Sequence, residues 1–361
     1  MKNTDGGRHD GNASRSGAPA ATIVDVARRA GVSVSTVSRV VRDHADVRHS
    51  TRLHVLRVID ELAYRPSSIA RALVSGRSFA LGLLVSDLAN PFYPQLATAV
   101  EREARRLGYT VAICITEHDA HETERYLHRL LDQGIQGVIH ASVGDDEAMC
   151  LALMDDSNRI LFTNRRPKSP HVNYVVSDNV AGSAALTRHL LAKGHRRIGF
   201  VNGSPAASTS QERLEGFLKQ VARVRGAQPV LAPGDFTSES GTKAVANWIR
   251  EGVLPSAIIG VNDLVALGAI EGLLGAGLRV PEDAAVAGFD DVALASSALA
   301  SLTSVAQHID QMGTRAVQLL LRATAKRPPR PLHEVLAPEL IVRRSTSALP
   351  SGHRHPSLAP R

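Results

Sequence analysis

From residue 79 onward, short unbroken apolar runs take turns with longer stretches in which apolar residues recur every three or four positions. The runs Phe79–Ser86, Tyr109–Thr116, Gly137–Ser142 and Arg159–Thr163 lack period-2 alternation, which predicts strands covered on both faces. Between them, Phe92–Leu107 and His121–Gln133 read as helices. A second series follows, with strands Arg197–Asn202, Ala257–Val261 and Ala284–Phe289 and helices Asn179–Lys193, Ser210–Val224, Ser238–Arg250 and Asp263–Ala276. Strands alternating with helices predict parallel sheets with helices on both faces. Two such series predict two doubly wound α/β lobes in tandem. In open α/β sheets ligands sit at the carboxyl ends of the strands, so two facing lobes place a site in the cleft between them.

The pattern before residue 79 is different. Residues 22–42 (TIVDVARRAGVSVSTVSRVVR) fit two short helices. Thr22 can cap the first, with Asp25 at the third helical position of a capping box. Gly31 supplies a tight turn and Ser33 a second cap. Ala27 and Val37 are apolar residues small enough for the helices to cross closely. A third helix is predicted over Thr51–Leu62. This is a helix-turn-helix, whose second helix presents its first residues to a DNA major groove.

Charge sharpens that reading. The chain carries +7 over 361 residues, but residues 22–78 hold ten Arg, no Lys and five acids. That stretch alone is +5, the first 21 residues are +1, and the remaining 283 residues are left with +1. Basicity confined to one small module is the footprint of a polyanion partner. A charge run alone is more often a solvated helix face; the helical pattern beneath it decides the matter.

Other features exclude function classes. Cys114 and Cys150 are the only cysteines and read as buried small hydrophobes, with no disulfide framework and no metal site. No apolar run reaches the ~18 residues of a membrane span. The opening MKNTDGGRHDGNASRSGAPAA lacks an apolar core and reads as a disordered tail, not a signal peptide, so a cytoplasmic, nucleoid-associated protein is expected. The closing SALPSGHRHPSLAPR also reads as disordered and offers no heptad leucines for higher assembly. There is no GxSxG, P-loop, HExxH or GxGxxG after a strand, and the fifteen His show no metal spacing. No cofactor is expected, and neither is an enzyme.

The segments TIVDVARRAGVSVSTVSRVVR, ELAYRPSSIARAL, NPFY, VVSDN, GHRRIGFVNG, VNDLVALGA, GLRVPEDAAVAGFDD and LTSVAQ follow one another in this order. Together they resemble the lactose-repressor/galactose-repressor (LacI/GalR) family of bacterial transcription regulators, from about residue 22 to residue 344. The resemblance implies a disordered tail (1–21), a helix-turn-helix domain (22–66), a hinge helix and linker (67–78), a two-lobed core resembling periplasmic binding proteins (79–344) and a second disordered tail (345–361). It implies a homodimer on a pseudo-palindromic operator. Val34 and Ser35 would face base edges, although Val34 could instead pack in the core, and Arg39 would reach a guanine or a phosphate. Thr22, Ser33, Thr36, Ser38 and Thr51 would act as phosphate contacts or caps. Where the family usually has Ser-Pro before the third helix, this chain has Arg48-His49, which puts a charged contact at Arg48 and shifts the expected helix start to Ser50. Ser67, Ala70 and Leu73 fall on the hinge helix, with Leu73 matching a minor-groove wedge.

The same resemblance places an effector between the lobes, against Asn90, Phe92, Tyr93, Asn164, Thr209, Arg213, Phe236, Asn262, Asp290 and Gln307. Convergent polar groups beside flat aromatic faces suit the hydroxyls and C–H face of a sugar, a mono- or oligosaccharide. A phosphorylated or purine ligand would call for more cations than Arg213, with Arg165 and Arg166 as candidate additions. Arg213 has a surface salt bridge as its alternative reading. One of Asp290 and Asp291 is expected to cap the helix that follows, and Asp263 to be structural. Asn164 stands where sugar-responsive members often have Asp. A transport protein would share the two lobes, but not residues 22–78.

Overall fold

The computed structural model describes residues 21–41, 46–64, 79–154, 157–325 and 331–347. The chain forms two units, one running to Ser78 and the other from Phe79. In the first unit α1 (Ile23–Ala30), α2 (Val34–Val41) and α3 (His49–Glu61) enclose a core built on Val26, Ala27, Val37, Val40, Val55, Val58 and Tyr64. The expected capping box is present: Asp25 N donates to Thr22 Oγ1, and Thr22 N donates to the Asp25 carboxylate at 2.9 Å. Gly31 closes α1 at φ +64°, a conformation that any side chain would strain. Ser33 Oγ accepts from Thr36 N at 3.1 Å and so starts α2. The third helix departs from expectation, beginning at His49 instead of Ser50 or Thr51. Arg48 occupies its N-cap without a side-chain bond, because a guanidinium has only donors to offer the first-turn N–H groups.

The second unit opens with β1 (Ala80–Val85), α4 (Phe92–Arg106), β2 (Thr110–Ile115), α5 (Ala120–Asp132), β3 (Gly137–His140), α6 (Glu147–Leu153), β4 (Ile160–Thr163) and β5 (Asn173–Ser177). The chain then crosses to a second lobe of α7 (Asn179–Ala192), β6 (Arg197–Val201), α8 (Ser208–Val221), β7 (Gln228–Ala232), α9 (Ser238–Arg250), β8 (Ala257–Gly260), α10 (Asp263–Gly275), β9 (Ala285–Asp290) and β10 (Thr303–Ala306). It returns for α11 (Ile309–Ala323) and β11 (His333–Leu336), and crosses a third time to lay down β12 (Glu339–Ile341).

The first sheet has the order β2-β1-β3-β4-β5-β11 and is parallel throughout. The second has the order β7-β6-β8-β9-β10-β12, parallel except for the antiparallel edge β12. Each lobe is thus doubly wound, with its switch point between the first and third strands, β1 and β3 or β6 and β8. Central strands such as β3, β4, β8 and β9 are buried along their whole length. The boundary expected at residue 345 cuts through packed structure. Ser345 and Thr346 are buried: Ser345 Oγ donates to Val286 O at 2.6 Å, and Thr346 Oγ1 lies 2.7 Å from Thr303 Oγ1. Their short hydroxyl side chains knit the segment to β9 and β10, which composition alone could not reveal. Among the described residues no helix is long and apolar enough to cross a membrane.

Candidate functional site

At the carboxyl ends of the two sheets lies a cavity of about 850 Å³. From the first lobe, the segment after β1 contributes Ser86 and Asn90, the start of α4 contributes Phe92 and Tyr93, and the loop after β4 contributes Asn164 and Arg165. From the second lobe come Thr209 and Arg213 on α8, Phe236 after β7, Asn262 after β8 and Asp290 closing β9. Nine of the ten residues expected to hold an effector therefore line one space. Gln307 does not. It stands behind Asp290, donating Nε2 to the carboxylate at 2.6 Å.

Arg213 is 3% exposed, which rules out the surface salt bridge. Its Nη1 donates to Val261 O at 2.7 Å and pairs with Asp290 at 3.3 Å, Nε donates to Asn179 Oδ1 at 2.9 Å, and the guanidinium lies 3.8 Å from the Phe289 ring centre. Burial pushes the Asp290 carboxyl up to about 6 against the pull of the Arg213 charge and the Gln307 hydrogen bond. Behind it, Asp263 is pushed well above the usual carboxylate range, first by burial and then by the charge of Asp290. Asp263 accepts from Ser304 Oγ at 2.6 Å and Val292 N at 2.9 Å and fastens the loops beyond β8 and β9. Neither Asp290 nor Asp291 caps the short helix at Ala293–Ser296, whose cap position, Val292, makes no side-chain bond. Asp291 instead pairs with Arg343 at 2.7 Å.

The polar groups also hold the walls in place. Asn262 Oδ1 accepts from Val265 N at 2.9 Å, capping α10, while its Nδ2 donates to Phe236 O at 3.1 Å. Asn90 Oδ1 accepts from Phe92 N at 3.0 Å, and Asn164 Nδ2 donates to Ala141 O at 3.1 Å. Asn164, Phe236, Asp290, Glu117 and His118 all line the cavity and all have positive φ, between 51° and 117°. Strain of this kind collects where a surface must be shaped for something other than packing.

The two neighbouring arginines part company. Arg166 is occupied, with Nε on Glu212 at 2.8 Å and Nη1 on Tyr174 Oη at 3.1 Å. Arg165 reaches the cavity, with Nη1 on Ser142 O at 3.0 Å and its guanidinium 5.7 Å from the Phe236 ring centre. Desolvation, then the charge of Arg165, lowers the pKa of His118 across the mouth, while Asp87 pulls it up. Ser86, Asp87, Glu117, His118 and Asp235 also line the space, and none was singled out from the sequence. Their signal was position: each lies immediately beyond β1, β2 or β7.

His140, Asp146 and Cys150, which the sequence did not bring together, lie buried with ligand-type atoms within 4.8 Å of one another. His140 Nε2 is 2.9 Å from Asp146 Oδ2, and Gly144 N donates to Asp146 Oδ1 at 2.8 Å. Burial would raise the Asp146 carboxyl, but the His140 hydrogen bond and charge and the Gly144 N–H outweigh it and hold it at about 2. Ser142 N lies 3.4 Å from His140 Nδ1, on the other side of the ring from Asp146.

In the first unit, Val34 is 43% exposed and so does not pack in the core. Ser35, Arg39 and Arg48 are exposed, and Ser38 and Thr51 are half-buried. Ser33 Oγ lies 2.7 Å from Ser35 Oγ and 2.8 Å from Thr36 Oγ1, which fixes the start of α2 as a hydroxyl-rich face. Ser67, Ala70 and Leu73 lie outside the described residues.

Residues 22–67 match the model of the bacterial regulatory proteins of the lacI family, and residues 187–346 match a periplasmic binding protein-like domain. The HTH-type transcriptional regulator DegA of Bacillus subtilis is 34% identical over 91% of this chain and 98% of its own length. The crystal structure of the lac repressor dimer bound to operator and the anti-inducer ONPF shares 29% identity at a TM-score of 0.81, over 91% of this chain and all of that one. A complex of the transcriptional regulator CelR with cellobiose shares 30% identity at a TM-score of 0.68, over 90% of this chain and 99% of that one. A helix-turn-helix unit, a two-lobed core with its cavity at the strand ends, and relatives matched along nearly their whole length make one case: this chain belongs to the LacI family of bacterial regulatory proteins and is a DNA-binding transcriptional regulator.

Proposed function

We propose that the protein is a homodimeric repressor whose hold on a pseudo-palindromic operator is set by a sugar, a mono- or oligosaccharide, bound between its lobes. The observation that carries this reading is the cavity, where the faces of Phe92, Tyr93 and Phe236 stand beside Asn262 and the Arg213–Asp290 pair. Aromatic faces take the C–H surface of a pyranose, and the paired charges offer donors and acceptors to its hydroxyls. Likeness to a cellobiose-bound regulator supports the sugar. The chain crosses between lobes three times, so a ligand that binds one lobe arrangement better than another shifts the population between them.

On the DNA side, Val34, Ser35 and Arg39 read base edges, while Thr22, Ser33, Thr36, Ser38, Arg48 and Thr51 position the module on phosphates. The hinge segment 67–78 carries Ser67, Ala70 and the wedge Leu73 into the minor groove. Its ordering is the step the lobes permit or forbid. The reading is of binding without turnover, in the cytoplasm.

A thermal-shift screen of mono- and disaccharides and nucleobases, followed by operator binding with each hit, tests it. A stabilising sugar that changes operator affinity is the expected result. Stabilisation by nucleobases alone would remove the sugar, and no response to any compound would remove the sensor. Conversion of a sugar to product would overturn the non-enzymatic reading.

A further inference from the structure

Two arginines line the cavity, and they differ in their partners. Arg213 has its counter-charge in Asp290, and Arg166 has Glu212. Arg165 has neither. It is 7% exposed, it lines the cavity, and among the described residues its guanidinium makes one hydrogen bond, from Nη1 to Ser142 O at 3.0 Å. Among the described residues no carboxylate forms an ion pair with it. A guanidinium carries five N–H donors and stays charged at any pH a protein survives, so a single carbonyl leaves most of its capacity unused. The Phe236 ring, 5.7 Å away, gives a cation–π contact but accepts none of those donors in its place.

Of the remaining acids that share the cavity, Glu117 is exposed and makes no ion pair with Arg165, and the other two are hydrogen-bonded elsewhere. Asp235 accepts from Thr237 N, Thr237 Oγ1 and Ser240 Oγ, and Asp87 accepts from Ala89 N at 2.7 Å. On the first-lobe wall, Ser86 Oγ is buried and bonds to nothing among the described residues. A buried cation without an ion-pair partner is costly in an isolated protein, and an anionic ligand group answers it.

We infer that Arg165 is an anion-recognition residue of the cleft and that the effector carries a single carboxylate, as an aldonic or uronic acid does. This rests on the effector reading above and narrows it. One unmatched cation suits one negative charge. A phosphate monoester, nearer two at neutral pH, would leave charge over.

The test uses the full chain and calorimetric titration with glucose, gluconate, glucuronate and glucose 6-phosphate, and with galactose, galactonate and galacturonate. At least one sugar acid should bind about tenfold or more tighter than its neutral parent, as a charge-assisted pair provides. Arg165→Met should erase that preference and Arg165→Lys should keep part of it. A second measurement needs no ligand. Arg165→Met should raise the Tm of the free protein, because it removes an unpaired buried charge and leaves an apolar chain in its place. Tighter binding of a neutral sugar or of glucose 6-phosphate overturns the carboxylate while leaving the effector site standing. A fall in the Tm of free Arg165→Met makes Arg165 structural and overturns the inference outright. Binding by none of the seven compounds overturns it as well, and the wider screen against operator binding then decides the effector reading separately.

Discussion

Arg213 is gripped from four directions, by Val261 O, Asn179, Asp290 and the Phe289 ring, all of them buried. Truncating it strands the Asp290 carboxylate, so Arg213→Ala should cost roughly 3–5 kcal/mol in urea denaturation at pH 8. Asp290 already titrates at about 6 and would rise further without its partner, so the loss should shrink at pH 5, where it binds a proton. An equal loss at both pH values would show that the pair is not what Arg213 supplies. Thr22→Ala makes a smaller claim. It removes the Asp25 N–H cap and should cost the first unit about 1 kcal/mol, seen as faster amide exchange along α1. At this scale the sequence was informative where a side chain faces the cavity directly and silent where packing chooses between neighbours. Arg165 and Arg166 are adjacent and identical, and only the position of Glu212 on α8 decides which one is neutralised. Gln307 stands one layer behind the cavity for the same reason: a chain position beyond a strand end does not say whether a side chain reaches the cavity or the group that lines it.

Helices α9 and α10 cross so closely that their glycines meet the opposite backbone. A methyl on Gly268 would fall inside the radius of Ser238 O, and one on Gly241 would overlap Val265 O. Gly268→Ala should therefore destabilise the second unit by about 3 kcal/mol, read from thermal unfolding. Gly272→Ala meets Val245 Cβ at 3.1 Å and Thr242 at 3.3 Å, a margin that small shifts relieve, and the gain in helix propensity offsets part of the cost. If the two variants lost equal stability, the close crossing would not be the cause. Central strands such as β1, β3, β8 and β9 were plain in the sequence because burial on both faces favours unbroken apolar runs, whereas the equally interior β5 (NYVVS) and β10 (TSVA) escaped because polar residues interrupt them. The edge strands that escaped notice lack such runs. β7 (QPVLA) is an edge strand exposed along much of its length, β12 has three residues, and β11 (HEVL) alternates because only one side is covered. The antiparallel sense of β12 follows from the chain's last crossing, which no local pattern encodes.

Across the molecule, two buried titrations oppose each other. His195 is 2% exposed, with Nδ1 3.0 Å from Ser256 Oγ. Burial, then the charges of His189 and Lys193, hold it at about 4. An unfolded imidazole titrates near ~6.5, so this contribution to stability is complete above that pH and is lost as pH falls toward 4. Asp290, held at about 6, contributes stability that is complete below ~4 and lost as pH rises through 6. Because the two windows overlap, the test is a difference. On acidification from pH 7 to 4.5, His195→Gln should lose about 2–3 kcal/mol less stability than the unsubstituted protein, measured by denaturant titration. Parallel curves would mean His195 stays neutral in both states.

The three crossings also set an order of synthesis. Helix α11 covers α4 and the face of β3, β4 and β5, and β11 closes the edge of that sheet, yet both are translated after most of the second lobe. On the ribosome the first lobe emerges early and waits, with α4 on β1 and β2 but the same face of β3, β4 and β5 uncovered, until residues 309–336 arrive. The lobe that is made first thus stays incomplete until most of the second has been made, and through that interval its uncovered apolar surface is open to aggregation.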